Sequence, residues 1–306
     1  MIRIGTRGSQ LALWQAAHVE ALLRRVAPNE EIVTVTIKTT GDRVLDKPLA
    51  EIGGKGLFLK EIEDALLGSR VDLAVHSMKD VPAELPPGLT ITAILEREDP
   101  RDALITANGR GLAELPAGAR VGTGSLRRQC QLKHWRPDLE IVPLRGNVDT
   151  RLRKLHDEEQ RLDAIILAGA GLKRLGLGDR ISEWLPTERL LPAAGQGAIG
   201  IEIRESDTAL AAICQALHHP TSGLALTAER RVLARLEGSC KLPFAAHATI
   251  DGPRMHVAAL VGSPDGREIV RDELEAAAEN ASAAGETLAE RLLAAGAGRF
   301  LESGNG

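Results

Sequence analysis

The chain has 306 residues, 43% of them hydrophobic, which is apolar mass enough for two or three cores rather than one. Its formal net charge of -4, with three Phe, three Trp and no Tyr, lacks the basic face and aromatic platforms of a protein that coats nucleic acid. No apolar run is long enough to cross a bilayer, and the three cysteines, Cys130, Cys214 and Cys240, are far apart with no C-x-x-C pair, which excludes a zinc or disulfide framework and leaves each an expected free thiol.

Short β-rich runs alternate with amphipathic helical stretches, the pattern of an α/β fold with largely parallel sheets. The start, Met1-Ile2-Arg3-Ile4-Gly5-Thr6-Arg7, enters a strand at Ile2 to Gly5 instead of a signal peptide, so a cytoplasmic location is expected. A helix capped by Ser9 follows, with Leu11, Trp14, His18, Ala21 and Leu22 read as one stripe, and then a strand over Ile32 to Lys38. Thr39 to Lys55 is polar and glycine-rich, an expected mobile loop before a helix from Leu57 to Leu67. The apolar run that begins at Asp72 then empties into His76-Ser77-Met78-Lys79-Asp80-Val81-Pro82, a polar turn stopped by proline.

A second strand and helix series runs through Arg120 to Thr123, Ser125 to Trp135, Glu140 to Pro143, Asn147 to His156 and Asp163 to Ala168. Turns or hinges are expected at Glu84 to Gly88, Glu98 to Arg101 and Leu191 to Gly197. From about Pro220 the pattern becomes a long helix, three β-like runs (Ala245 to Ile250, Met255 to Val261, Glu268 to Glu273) and an alanine-rich helix, Ala281 to Ala295, which reads as a separate small α+β domain. Its last stretch, Asp265 to Glu302, carries nine acidic residues against four basic ones and is read as a solvated face.

Against that background residues 127 to 154 hold eight Lys/Arg and three Asp/Glu, a local net charge of +5 in an acidic chain. Arg127, Arg128, Arg145, Arg151 and Arg153 stand at or near expected helix beginnings, where unpaired N–H groups already carry partial positive charge. That placement demands an anion, and a cluster this compact suits a small polyanion, a polycarboxylate or phosphate, gripped by bidentate guanidinium groups. The run Val121-Gly122-Thr123-Gly124-Ser125 is a strand, a glycine turn and a helix start whose N–H and hydroxyl groups can cradle an oxyanion. It lacks the third glycine of the dinucleotide fingerprint, and Gly53-Gly54-Lys55-Gly56 lacks the Ser or Thr of a P-loop, so nucleotide binding is poorly supported.

Three further features admit two readings each. Lys79 and Asp80 sit beyond the carboxyl end of a strand, where Lys79 could neutralise an anion and Asp80 stabilise a developing cation, but an ordinary salt bridge fits the same residues. Lys55 is a ligand contact or a plain loop residue. Cys240, in Gly238-Ser239-Cys240-Lys241-Leu242-Pro243, is a thiolate favoured by Lys241 or a small buried hydrophobe. His76, His218 and His219 lack ligand spacing and are assigned structural roles.

Taken together, the runs Arg7 to Ala16, Gly53 to Phe58, His76 to Pro82, Gly122 to Gln129, Leu144 to Leu152 and Gly238 to Pro243 resemble the hydroxymethylbilane synthase family, also called porphobilinogen deaminase. The resemblance covers nearly the whole chain in order. It implies two α/β lobes resembling type II periplasmic binding proteins with the active cleft between them, and a small C-terminal α+β domain. The expected boundaries are 1–97 with 196–216, 98–195, and 217–306, with the strand Ala198 to Ile203 returning to the first lobe.

The family's chemistry is the stepwise condensation of four porphobilinogen molecules, with loss of ammonia, onto a dipyrromethane primer, then hydrolysis to hydroxymethylbilane. The resemblance implies that Cys240 holds the dipyrromethane by a thioether and that Asp80 is catalytic. It implies that Ser77, Lys79, Thr123, Ser125, Arg127 and Arg128 hold the cofactor carboxylates. Arg7, Ser9, Arg145, Arg151, Arg174 and Gln196 are expected to face incoming substrate or the growing polypyrrole. A monomer is expected, with no nucleic acid or membrane partner, passing its product to uroporphyrinogen-III synthase. Two residues depart from the family's pattern: Gly124, where serine or alanine is frequent, and Leu242, where a β-branched residue is usual. The rival reading is a non-catalytic two-lobed binding protein for a small polycarboxylate, which would need neither Asp80 nor Cys240.

Overall fold

The computed structural model describes residues 1–40, 59–236 and 242–303. The expected loop after Thr40, the start of the helix at Leu57 and the Gly53 to Phe58 motif lie outside the described residues. In chain order the elements begin β1 (Ile2–Thr6), α1 (Gln10–Val26), β2 (Ile32–Thr36), α2 (Lys60–Leu67), β3 (Leu73–Ser77) and β4 (Leu89–Ile94). Then come β5 (Asp102–Thr106), β6 (Arg120–Gly122), α3 (Leu126–Trp135), β7 (Glu140–Val142), α4 (Val148–Leu155), β8 (Ala164–Ala168), α5 (Gly169–Arg174) and β9 (Glu183–Leu185). The chain continues through β10 (Ile199–Arg204), α6 (Thr208–Gln215), α7 (Pro220–Arg235), β11 (Phe244–Asp251), β12 (Arg254–Gly262), β13 (Ile269–Ala277) and α8 (Ala281–Leu292).

These elements form two compact units, Met1–Glu98 with Gly197–Gly223, and Asp99–Gln196 with Leu224–Gly306. The first unit is built on a five-stranded sheet in the order β2-β1-β3-β10-β4. One face packs Ile2, Ile4, Val19, Leu23, Ile201 and Ile203 with α1 and α6, and the other packs Ile62, Leu66, Val71 and Leu89 with α2. Burying each such side chain contributes about 1.5–3 kcal/mol, so the sheet is held from both sides.

The second unit holds a five-stranded sheet, β7-β6-β8-β5-β9, and a three-stranded antiparallel meander, β11-β12-β13. The meander packs Val257 and Ala259 against Leu288 and Leu292 of α8. Residues 224–306 thus carry their own sheet and core while belonging to the same compact unit as residues 99–196.

The structure corrects two expectations. The sheets are mixed, because β10 runs antiparallel to β3 and β4, and β5 runs antiparallel to β8 and β9. A strand buried on both faces reads as one apolar run in either direction, so its orientation is not encoded locally.

The buried face of α1 is Gln15, Ala16, Val19 and Leu23 instead of the stripe through Trp14 and His18. Those two rings stack on each other on the outer face, with centroids 5.1 Å apart. A buried glutamine and an exposed aromatic pair invert the local hydrophobic signal.

Candidate active site

In the first unit β1 and β3 are adjacent and parallel, so their carboxyl ends open at the same end of the sheet. From β1 the chain runs into half-buried Arg7 and to Ser9, whose hydroxyl accepts from the Ala12 N–H at 3.3 Å and so caps α1. From β3 it runs into Ser77 and the one-turn Met78–Asp80 helix. Gln15 donates from Nε2 to Ser77 Oγ at 2.8 Å, which explains a buried polar residue on α1 and ties that helix to the strand end.

The turn is anchored at Met78, whose N–H donates to Ala198 O at 3.0 Å and whose side chain is buried. Val81 N–H closes the turn onto Met78 O at 3.2 Å. The result leaves Lys79 half-buried and Asp80 exposed on a rigid support.

In the second unit β7, β6 and β8 are parallel neighbours, and the expected anion-binding residues follow their carboxyl ends. After β6 come Thr123, Ser125, Arg127 and Arg128. Ser125 caps α3, and its own N–H donates to Thr123 Oγ1 at 3.2 Å.

After β7 come Arg145 and the N-cap Asn147, which accepts from Thr150 N–H at 2.9 Å, and Arg151 donates from Nε to Gly146 O at 2.7 Å. After β8, Arg174 ends α5, half-buried. One end of one sheet therefore gathers Thr123, Ser125, Arg127, Arg128, Arg145, Arg151 and Arg174.

The anion demanded by the helix-start arginines is, at Arg127 and Arg128, a side chain of the protein itself. Asp102 opens β5, antiparallel to β8, which brings it opposite Ala168 and so to the same end. Its Oδ2 accepts from Arg127 Nη1 at 2.8 Å, and its Oδ1 accepts from Arg128 Nη2 at 2.7 Å and Nε at 3.1 Å.

Leu191 O and Ile166 O take further guanidinium N–H groups, from Arg127 and Arg128 respectively. Asp102 is 0% exposed and both arginines 5%. Burial alone would raise the Asp102 carboxyl, but the two guanidiniums outweigh it and hold the group well below the ordinary carboxylate range. Burial pulls Arg127 down from its usual value, opposed by Asp102.

Gln196, expected to face substrate, is 1% exposed and donates from Nε2 to Pro100 O at 2.6 Å and to Asp102 Oδ1 at 2.9 Å. At Gly124 a Cβ would lie 2.7 Å from Leu144 O, so the close backbone approach there suits glycine.

Cys240 lies outside the described residues. The other two cysteines are buried, and burial pushes both thiols up to about 12. Asp102 and Gln15 escape sequence reading, since an Asp leading an apolar strand or a Gln within an amphipathic helix carries no periodic signal.

Two family descriptions match the chain: "Porphobilinogen deaminase, dipyromethane cofactor binding domain" over residues 2–212, and "Porphobilinogen deaminase, C-terminal domain" over residues 224–294. A porphobilinogen deaminase of Pelobacter propionicus is 54% identical over 301 residues, covering 98% of this chain and 96% of that one. One from Geobacter metallireducens is 52% identical, covering 98% of this chain and 93% of that one. Among solved structures, an arginine-specific periplasmic binding protein of Salmonella typhimurium overlaps 71% of this chain and 90% of its own at 15% identity, with a TM-score of 0.38. That overlap is loose, and the fold is defined by the sheet orders given above.

Proposed function

This chain belongs to the porphobilinogen deaminase family, also called hydroxymethylbilane synthase, and from that premise we propose a division of labour among its residues. The reaction is a transferase reaction of tetrapyrrole synthesis: four porphobilinogen molecules are condensed head to tail with release of ammonia, and water then frees hydroxymethylbilane. The reading as a non-catalytic polycarboxylate receptor is not favoured. The observation that carries the assignment is the near full-length match, joined to an exposed Asp80 displayed on the anchored turn at the end of β3.

Asp80 accepts a hydrogen bond from the pyrrole N–H of the substrate and offers a negative charge to the cation left on that substrate when its amine departs. An exposed carboxylate at that point also takes or returns a proton. Lys79 pairs with a substrate or cofactor carboxylate beside it.

The residues present suit a dipyrromethane, a tetracarboxylate, because the carboxyl ends of β6, β7 and β8 present arginines and hydroxyls from three successive connections. Bound at Cys240 by a thioether, the dipyrromethane supplies the primer onto which units are added. Ser77, Lys79, Thr123, Ser125, Arg127 and Arg128 hold its carboxylates, the arginine pair offering one net positive charge because Asp102 neutralises the other. Arg7, Ser9, Arg145, Arg151 and Arg174 hold incoming substrate and the growing polypyrrole, whose carboxylates multiply with each addition. Gln196 acts through Asp102 and Pro100.

Among the described residues no helix is long and apolar enough to cross a membrane. A cytoplasmic monomer with three domains, which hands its product to uroporphyrinogen-III synthase, completes the reading.

The test is the intact mass of the denatured protein beside Cys240→Ser. The expected result is an adduct of two porphobilinogen units less their ammonia, present only with Cys240. A chain that stays unmodified after incubation with porphobilinogen would overturn the assignment.

A further inference from the structure

Directly below the turn that displays Asp80, the first unit buries three titratable side chains for which the proposed reaction has no use. They are Glu63 on α2, His76 on β3 and Glu202 on β10, at 7%, 6% and 0% exposure. In the antiparallel register His76 pairs with Gly200 and Glu202 with Ala74, which makes His76 and Glu202 diagonal neighbours on one face. Their side chains meet, with Nε2 2.8 Å from Glu202 Oε2.

The remaining oxygen of Glu202, Oε1, is buried without a hydrogen-bond partner, and so is Oε1 of Glu63. Two such acceptors in one apolar environment are costly, since each has lost water and gained nothing. The helix α2, which carries Glu63, packs against β10, which carries Glu202, so a single proton shared by the two carboxyl groups would satisfy both at once.

We propose that Glu63, His76 and Glu202 form one proton-sharing unit, in which a neutral Glu63 carboxyl donates to Glu202 and Glu202 holds His76, and that this unit positions the Met78–Asp80 turn.

The surroundings agree. Burial, then the charge of Glu202, pushes the Glu63 carboxyl up to about 7; His76 opposes the shift and Asp64 adds to it. The other charged groups on the packed elements are paired elsewhere or, like Lys60 and Asp64 of α2, exposed. Arg204 of β10 donates to Leu66 O and Val71 O and pairs with Asp72 and Asp207. Arg3 of β1 pairs with Asp72, and Glu61 of α2 accepts from Thr40. The strand β4 carries no titratable residue, and Lys60 stands exposed at the start of α2.

The link to Asp80 is short. His76 precedes it by four positions, and between them Met78 is held by its N–H on Ala198 O, the residue just before β10, and by its thioether against Gly200 of β10, where any Cβ would collide with Sδ. β10 therefore holds His76 through Glu202 and Met78 through Gly200, shortly before the exposed carboxylate.

The experiment compares holoenzyme carrying Glu63→Gln, Glu63→Ala and Glu202→Gln. The first readout is infrared difference spectroscopy at neutral pH, where a protonated-carboxyl stretch present in the wild type is expected to vanish in Glu63→Gln and to shift in Glu202→Gln. The second is unfolding temperature against pH. A carboxyl with a raised folded pKa loses relative stability as pH rises from 4.5 to about 7, so Glu63→Gln, which stays neutral, is expected to flatten that decline.

The third readout is kinetic and rests on the functional reading above: Glu63→Ala lowers kcat about tenfold with KM nearly unchanged, and Glu63→Gln restores it. Absence of the protonated-carboxyl band, or folded Glu63→Ala with wild-type kcat, overturns the proposal. If Glu63→Ala does not fold, the infrared and pH results with Glu63→Gln decide the matter alone. Because those two readouts need no turnover, they stand whether or not the assigned reaction does.

Discussion

Asp102→Asn removes one charge from a buried triad without changing its volume. The carboxylate accepts from Arg127 Nη1 at 2.8 Å, Arg128 Nη2 at 2.7 Å, Arg128 Nε at 3.1 Å and Gln196 Nε2 at 2.9 Å. An asparagine oxygen can keep the Oδ1 contacts, but its NH2 then faces the Arg127 guanidinium donor to donor, and two buried guanidinium charges remain uncompensated. Breaking a buried pair in this way costs about 3–5 kcal/mol. At about 2–4 °C per kcal/mol for a unit of this size, the melting temperature falls by roughly 6–20 °C.

The assay is urea unfolding followed by tryptophan emission, since Trp135 and Trp184 both belong to the second unit. The wild type has an acid limb that the variant lacks. A carboxyl held low contributes stability above its unfolded pKa and loses it as pH falls through the folded one. Adding Arg128→Gln to Asp102→Asn is expected to cost less than the sum of the two alone, with a coupling of about 0.5–3 kcal/mol. A loss below about 1 kcal/mol, the value of an exposed pair, would refute the claim that Asp102 organises the arginines.

Asp80→Ala, at an exposed position, is expected to change stability by no more than about 0.5 kcal/mol while lowering kcat at least about a hundredfold; near-normal turnover removes Asp80 from the chemistry. Gly124→Ala pushes a Cβ to 2.7 Å from Leu144 O, so it is expected to cost about 1–3 kcal/mol in denaturant titration, and a neutral result would mean that the Leu144 backbone yields freely. Cys130 and Cys214, with thiols near 12, are on the order of one part in 10⁵ ionised at neutral pH and resist thiol reagents until the chain unfolds. Fast labelling of either in native protein contradicts that burial.

The chemistry was legible in the chain because its carriers sit in contiguous runs. Ser9 announces a helix start by type and position and caps as expected, and the helices expected from Ser125 and Asn147 begin with those residues as their caps. The polar turn after β3 is written in Ser77 to Pro82, and the +5 cluster is visible by count. What the chain could not disclose is every pairing across long separations.

Asp102 meets Arg127 and Arg128 only because β5 runs antiparallel beside β8. Gln15 is buried only because Ser77 Oγ accepts a hydrogen bond from its amide, and His76 finds Glu202 only where β10 enters between β3 and β4. Local sequence specifies caps, turns and apolar runs through interactions within a few residues. Strand direction and the partner of a buried charge are decided by which segments share a sheet, and that is settled only when the whole core packs.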